Sequence, residues 1–491
     1  MLMDRRSFIS SAGKIAAVGA VASITPSCLT SAPSISNKIK ETYKADVLVV
    51  GGGPAGVCAA VAAARAGVSV LLVESGGCLG GMATQGLVAP FMTCFDSAGE
   101  QQIIKGVFAE VVDRMVSLGG AIHPREVRAG TPFSAWITAG HDHVTPFDAE
   151  ILKYVLDSMV AEAGIKLLLH SSFVRPLMKG DAVAGAVLLT RSGLESARAR
   201  IVVDATGNGD VAAAAGTPFF LGDENSGRIQ PATLFCHICN VDYKAICADV
   251  EAHLHEFRKV DGVSYRALHW RVAEAEAAGE WDIARKSVNI YRGVREDEWA
   301  VNSTRISGVD ATSSESLTAA ETEGRRQVQE LMHFFRKYVP GCKDAVLKSS
   351  ASTIGIRESR HIKGEYILPA DDLIESIVPG DSVFLASNSV DVHGGGGSAS
   401  STKYTLIKGN WYGVPYRSLV PLEVENLLVA GRCVSATSDA AGAIRVMPPA
   451  MAAGQAAGVA AAIAAKGGVS PRRVSADDVR RILLEQNAYL G

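Results

Sequence analysis

Short unbroken apolar runs alternate along this chain with segments of small residues at helical spacing. The runs 45–50 (ADVLVV) and 68–73 (VSVLLV) are too short for helices and show no polar alternation, which predicts parallel strands buried on both faces. Between them, residues 54–66 hold almost only Ala, Val and other small residues after Pro54, predicting a helix stopped at Gly67. Ile103, Ile104, Val107, Phe108, Val111, Val112 and Met115 form a helical stripe. A further helix is predicted from Thr145 as N-cap, with Pro146 at the first helical position and Asp148 at N3, followed by a strand over 165–173. A hairpin turning at Ser192–Gly193 leads into a buried strand ending at Asp204, and further strands are predicted over 232–241 and 426–431. Long helices are predicted over 315–338 and from Pro448–Pro449 onward. Strands alternating with helices in this way predict an α/β fold.

The length of 491 residues allows two or three domains. The predicted division is an export signal over 1–28, a linker over 29–43, a nucleotide-binding domain in two parts (44–215 and 376–470), an inserted α+β cap or substrate domain over 216–375, and a tail over 471–491. A net charge of -3 without a basic stripe argues against nucleic acid as a partner. The cysteines are odd in number and unevenly spaced, which argues against a disulfide framework. Cys236 and Cys239 have only Cys247 nearby and are read as packed thiols, and His141 and His143 as a solvated loop, so no metal site is expected. Near the N-terminus, Arg5-Arg6, Ser-Phe-Ile and a weakly apolar run from Ala16 to Ile24 read as a twin-arginine export signal. That run is far below the ~20 residues that span a bilayer. A periplasmic or cell-envelope location is expected, with membrane attachment only if Cys28 is lipidated.

Gly51, Gly53 and Gly56 form G-x-G-x-x-G directly after the first strand. Their expected roles are a tight turn, close approach of a pyrophosphate, and close helix–sheet packing, with the helix N-terminus favouring the phosphates. Glu74, ending the second strand, is placed to accept hydrogen bonds from ribose hydroxyls, beside Ser75. A second half-site follows far along the chain, where a strand ends at Gly431-Arg432 and a small-residue helix begins near Met447. Such a helix approaches a flat ring closely, and its N-terminus stabilises negative charge on a reduced flavin. A nicotinamide-only enzyme has no use for this distant second site, so the expected cofactor is FAD. No second G-x-G-x-x-G follows the first, which argues against NAD(P)H reduction through a separate domain.

The succession of helix, strand, hairpin and "DATG" resembles flavoproteins of the glutathione-reductase type. That resemblance implies that Gly207 packs near the adenosine end, and that Gly80, Gly81, Ala83 and Thr84 follow the pyrophosphate towards the ring. More broadly, "GGGPAG", "GGMATQGLV", "DATGNGD", "GIRESRHIKGEY", "VDVHG", "NLLVAGRCVSA" and "AIRVMPPAMAAGQAAG" resemble the FAD-dependent oxidoreductase family. This family is itself similar to the flavin domain of heterodisulfide reductase, and some members carry the label xanthan lyase. Relatives often have a cysteine where this chain has Ala450.

The candidate catalytic residues come from two segments. If residues 357–361 form a strand, Arg357, Ser359 and His361 share one face and Glu358 and Arg360 the other. Arg357 would grip a carboxylate or paired hydroxyls, and His361 would move a proton. His393 adjoins four glycines and shares a strand face with Asp391, which suits a base that removes a hydroxyl proton. Arg445 is a candidate partner for the flavin or a substrate anion, and Tyr416 and Arg417 for substrate. The expected activity is oxidation of a CH–OH group on a small sugar-like or hydroxy-acid molecule, with electrons passing to a quinone, a haem protein or another non-nicotinamide acceptor. Two alternatives stand beside it: reduction of an activated C=C bond, with Arg357 or Arg445 as acid or clamp, and electron relay without a small substrate.

Overall fold

Val47–Val50 are fully enclosed because the strand that carries them lies between two apolar layers. In the computed structural model, which describes residues 39–394 and 402–491, this strand is β1 (Lys40–Val50). The predicted export signal with Arg5, Arg6 and Cys28 lies outside the described residues, as do Gly395, Gly396 and Gly397 of the glycine run. β1 pairs in parallel with β2 (Val70–Val73), which pairs with β3 (Lys166–Leu168). β4 (Ser172–Lys179), β5 (Ala182–Thr190) and β6 (Gly193–Asp204) form an antiparallel meander whose last strand pairs in parallel with the other side of β1. The strand Leu427–Val429 adds in parallel beside the C-terminal half of β6. Val47, Val49, Leu72 and Val203 face one core, while Leu48, Leu71 and Val202 face another, as strand alternation requires.

Helix α1 (Pro54–Arg65) covers the first face, with α2 (Val107–Ser117) and α3 (Ala149–Glu162) beside it. Across α1 lies the helix Met447–Gly467, buried along most of its length. A Cβ on Gly454 would stand 2.0 Å from the Ala55 carbonyl oxygen, and one on Gly458 2.1 Å from that of Ala59. The two backbones therefore touch through a pair of glycines one helical turn apart.

A second core lies under a four-stranded antiparallel sheet, in the order Ile290–Arg292, Trp299–Val301, Cys236–Cys239, Val346–Ser350. Leu234, Ile238, Trp299, Phe334 and Phe335 are buried there, the last two on the helix Ser314–Tyr338.

Several local expectations change. The expected linker ends early, because β1 starts at Lys40 and its first residues pair with the long β6, Thr42 also donating to Glu195 at 3.1 Å. The N-cap of α3 is Asp148, whose carboxylate accepts from the Glu150 and Ile151 amides, because Thr145 is held in a backbone bridge with Phe91. The strand predicted over 165–173 breaks between β3 and β4, where the His170 and Ser171 amides bond the Gly76 and Glu74 carbonyls. The stripe from Ile103 becomes helical only at Val107, after Gly106 at φ 62°. The strand expected over 232–241 shortens to Cys236–Cys239. The expected C-terminal tail contains a helix, Ala476–Glu485, that buries Val479 and Leu483 in the first core.

Replacing Gly458 by valine should force the two helices apart and cost about 1–3 kcal/mol or more, the range for overpacking a filled core. Urea unfolding of the flavin-free protein measures this, and an unchanged midpoint would show that the contact is not tight.

Candidate functional site

The turn after β1 is shaped by close contacts that only glycine permits. Gly51 sits at φ +104°, and a Cβ there would lie 2.4 Å from the Ala205 carbonyl oxygen. Gly56 lies still closer, its Cβ direction ending 1.8 Å from the Gly51 oxygen, so it serves helix packing and does not face the cavity. Gly53 differs. It lines the cavity, and a Cβ there would meet nothing within 4 Å.

This cavity of about 730 Å³ runs from the β1–α1 turn to the start of the helix Met447–Gly467 and on beneath the second sheet. Two helix N-termini open into it without a side-chain cap: α1 at Gly53 and the Met447 helix at Val446. Their aligned dipoles favour negative charge, although Pro54, Pro448 and Pro449 bring no N–H to these termini. Glu74 accepts from the Gly52 amide at 2.7 Å and the Gly76 amide at 2.6 Å, which fixes its carboxylate at the end of β2. The turn after β6 is built around the buried Asp204, which binds the Thr206 amide and hydroxyl and the Ala212 amide. Burial raises the pKa of Asp204 despite these bonds. The Gly207 turn so formed lines the cavity against Arg432, whose guanidinium donates to Asn208 at 2.6 Å and to the Ile356 carbonyl at 2.9 Å. Arg432 Nε is buried without a partner.

Ser75, Gly81, Gly431, Arg445 and Met447 also line the cavity. Gly80 and Thr84 do not, and they fold the loop instead: the Gly80 amide bonds the Gly52 carbonyl, and the Thr84 hydroxyl donates to Leu79 at 2.6 Å.

The strand Val390–His393 brings Asp391 and His393 to the cavity wall, with Nε2 of the imidazole 3.3 Å from the Asp391 carboxylate. The His393 amide is held by Gln230 at 3.1 Å. Burial lowers the His393 pKa to about 4, with Asp391 opposing and Arg357 reinforcing the shift. Asp391 stays well below the usual carboxylate range, because His393 and Arg445 outweigh the effect of burial. Arg445 donates to the Asp391 carbonyl at 3.2 Å and lies 3.8 Å from its carboxylate.

His361 is not in the cavity. It is buried beside Glu358, Nε2 to carboxylate 3.1 Å, and stacks on Phe220. The predicted alternation fails because the strand begins only at Arg360, so Glu358 turns inward and gathers His361, Ser438 and the Gln230 amide. Arg357 does line the cavity, anchored to the Pro231 carbonyl and the Thr233 hydroxyl, both at 2.6 Å. Tyr416 donates to Pro471 away from the cavity, and Arg417 pairs with Asp381 at the surface.

The loop 141–143 is only partly solvated. His143 is buried, stacks on Phe95 and bonds the Pro124 carbonyl, and His141 lines the cavity with its pKa lowered to about 4 by burial and by Arg266. Sequence reasoning also missed Arg266, Arg285 and Arg305, which reach the cavity from separate loops of the second core. No motif marks them, because each is a lone arginine in an irregular segment.

An extended cavity with a glycine turn, a carboxylate at the end of β2 and two uncapped helix N-termini defines a dinucleotide-binding flavoprotein. The family model described as FAD dependent oxidoreductase matches residues 46–483, and the chain belongs to that family. Its cofactor is FAD. The residues fit it: Gly53 leaves open space where a pyrophosphate backbone needs it, Glu74 and Ser75 stand where a ribose is expected, and Arg432 and the start of the Met447 helix are oriented for negative charge.

Over 172 residues the chain is 29% identical to a digeranylgeranylglycerophospholipid reductase of Methanoculleus marisnigri, covering 34% of this chain and 39% of that protein. Similar solved structures include a geranylgeranyl bacteriochlorophyll reductase-like protein from Thermoplasma acidophilum, 16% identical over 91% of this chain and 82% of that one, with a TM-score of 0.41. Another is p-nitrophenol 4-monooxygenase PnpA from Pseudomonas putida, 14% identical over 90% and 84%, with a TM-score of 0.43.

Gly53→Val should fold, since a Cβ at this position meets no protein atom within 4 Å, and yet emerge without flavin. The ratio of visible to ultraviolet absorbance after purification tests this. A yellow Gly53→Val protein would contradict the placement of the cofactor.

Proposed function

We propose that this FAD-dependent oxidoreductase is a dehydrogenase that oxidises the CH–OH group of a small hydroxy acid. The observation that carries this reading is the His393–Asp391 pair facing a cavity lined by Arg266, Arg285, Arg305, Arg357 and Arg445. When bound, FAD supplies the two-electron acceptor that takes hydride from the substrate carbon. Asp391, 3.3 Å from His393 Nε2, orients the imidazole and stabilises its protonated form. The neutral imidazole takes the hydroxyl proton as the carbonyl forms. Arg357, held rigidly through Pro231 and Thr233, grips the substrate carboxylate. The excess of guanidinium groups favours a hydroxy acid over a neutral sugar.

A reductase reading draws support from the partial relative in Methanoculleus marisnigri, itself described as a reductase. The same arginines would then clamp an unsaturated acid. Our reading includes export by the twin-arginine route and a quinone or haem-protein acceptor, supported by Arg5-Arg6 and by the single G-x-G-x-x-G of the sequence.

Anaerobic addition of hydroxy acids to the holoenzyme should bleach the flavin band, whereas neutral sugars should not. Reoxidation of chemically reduced enzyme by unsaturated acids, with no bleaching by any hydroxy acid, would establish the reductase instead. His393→Gln should slow bleaching by about 10²–10⁴-fold, the usual contribution of a general base.

The acid limb of the rate follows from the lowered pKa. His393 acts in its neutral form, which persists until pH falls through about 4, so the rate of bleaching should hold down to about pH 5 and then decline. An acid limb centred near 6.5, the ordinary value for histidine, would show that His393 is not the base, or is solvated.

A further inference from the structure

The arginines facing the cavity exceed what one monovalent substrate and the cofactor can neutralise. Asp391 is the carboxylate paired among them, since Glu74 is taken by the glycine turn and Asp210 by Arg360 at 2.8 Å. Arg432 belongs with the Gly207 turn and Arg445 with Asp391 and the start of the Met447 helix. That leaves Arg266, Arg285, Arg305 and Arg357, each without a carboxylate partner among the described residues.

Their anchors are neutral oxygens. Arg285 donates to the Asn302 carbonyl at 2.6 Å, and Arg305 to the Gly394 carbonyl at 2.5 Å. Arg305 is 6% exposed, and its Nε has no partner. Burial, with Arg285 nearby, lowers the Arg305 pKa to about 9, and burial with repulsion from Arg445, Arg285 and Arg305 pulls Arg357 well below its usual value. Buried like charges of this kind are costly unless a counter-ion joins them.

Asn302 joins Arg285 to Arg357, its carbonyl accepting from Arg285 at 2.6 Å and its side-chain oxygen from Arg357 at 3.4 Å. His141 and Tyr404, which meet on the Ala139 carbonyl at 3.2 and 3.0 Å, line the cavity with Arg266. Lys259 and Lys286 also line the cavity, Lys286 paired with Glu276 at 2.6 Å. The group at Arg266 is too rich in donors for an alkyl tail, because a buried donor left unmatched costs free energy.

We infer that Arg266, with His141 and Tyr404, forms a second anion subsite, so that the substrate is a small organic molecule carrying at least two separate anionic groups. One group binds Arg357 beside the base and the other binds Arg266. This rests on the hydroxy-acid reading of the site and narrows it to polyvalent acids.

The test uses the FAD-loaded enzyme and anions that it cannot dehydrogenate: acetate, malonate and citrate, with pyrophosphate as the phosphate counterpart, all at constant ionic strength. The readouts are perturbation of the flavin absorption band and the rise in melting temperature. Citrate or malonate should bind at least tenfold more tightly than acetate. Arg266→Gln should remove roughly tenfold of that preference, the loss of about one charge-assisted contact, while leaving acetate binding unchanged. Arg266→Lys should restore part of it, and Arg481→Gln on the exposed C-terminal helix should change nothing. Tighter binding of pyrophosphate than of citrate would assign the second group as phosphate. Equal binding of acetate and the polyvalent anions, or an Arg266→Gln protein that still prefers citrate, would overturn the subsite. Bleaching by a monovalent hydroxy acid would in that case leave the dehydrogenase reading standing, so the two claims fail separately.

Discussion

The contact between α1 and the helix Met447–Gly467 is the constraint on which the site depends. Their backbones meet where Gly454 and Gly458 lie against the carbonyl groups of Ala55 and Ala59. Two helices separated by most of the chain thereby start at one cavity, each with an uncapped N-terminus. Bulkier residues at these glycines would separate the helices and split the anion site they make together. The alanine-rich composition of both helices follows from this geometry, since side chains near the contact have little room. Association is then driven by burial along two long apolar surfaces.

Charge is the second organising element. The N-termini and Arg432 suit a diphosphate, while the arginines of the second core line the same cavity. His393 is kept neutral by burial even though Asp391 favours its protonated form. A neutral base beside several cations is a sensible arrangement, because it lets an acid bind as its anion while a proton is still free to leave. The same low-dielectric surroundings that depress the histidine make every unpaired guanidinium more demanding of a counter-ion.

The part of the site that is local in sequence was legible there. Gly51, Gly53 and Glu74 lie within one strand–turn–helix–strand unit, so spacing alone conveyed the fold and the nucleotide cradle. Asp391 and His393 were legible as a pair because two residues apart on a strand share a face. His361 was misplaced by the same rule, applied to residues that precede the strand, where the demand of buried Glu358 for partners decided the conformation. Thr145 was displaced as a cap by its bridge to Phe91, a contact no local pattern encodes. Arg266, Arg285 and Arg305 gain meaning only when loops of the second core converge on the cavity, which single-residue chemistry cannot foretell.

The most direct measurement is the structure of the FAD-loaded protein. The account predicts the adenosine half beside Glu74 and Gly207, and the flavin ring beside Met447, with His393 and Arg357 across a substrate-sized gap from it. A ring turned towards solvent, with His393 and the arginines on the far side of protein atoms from it, would contradict the account.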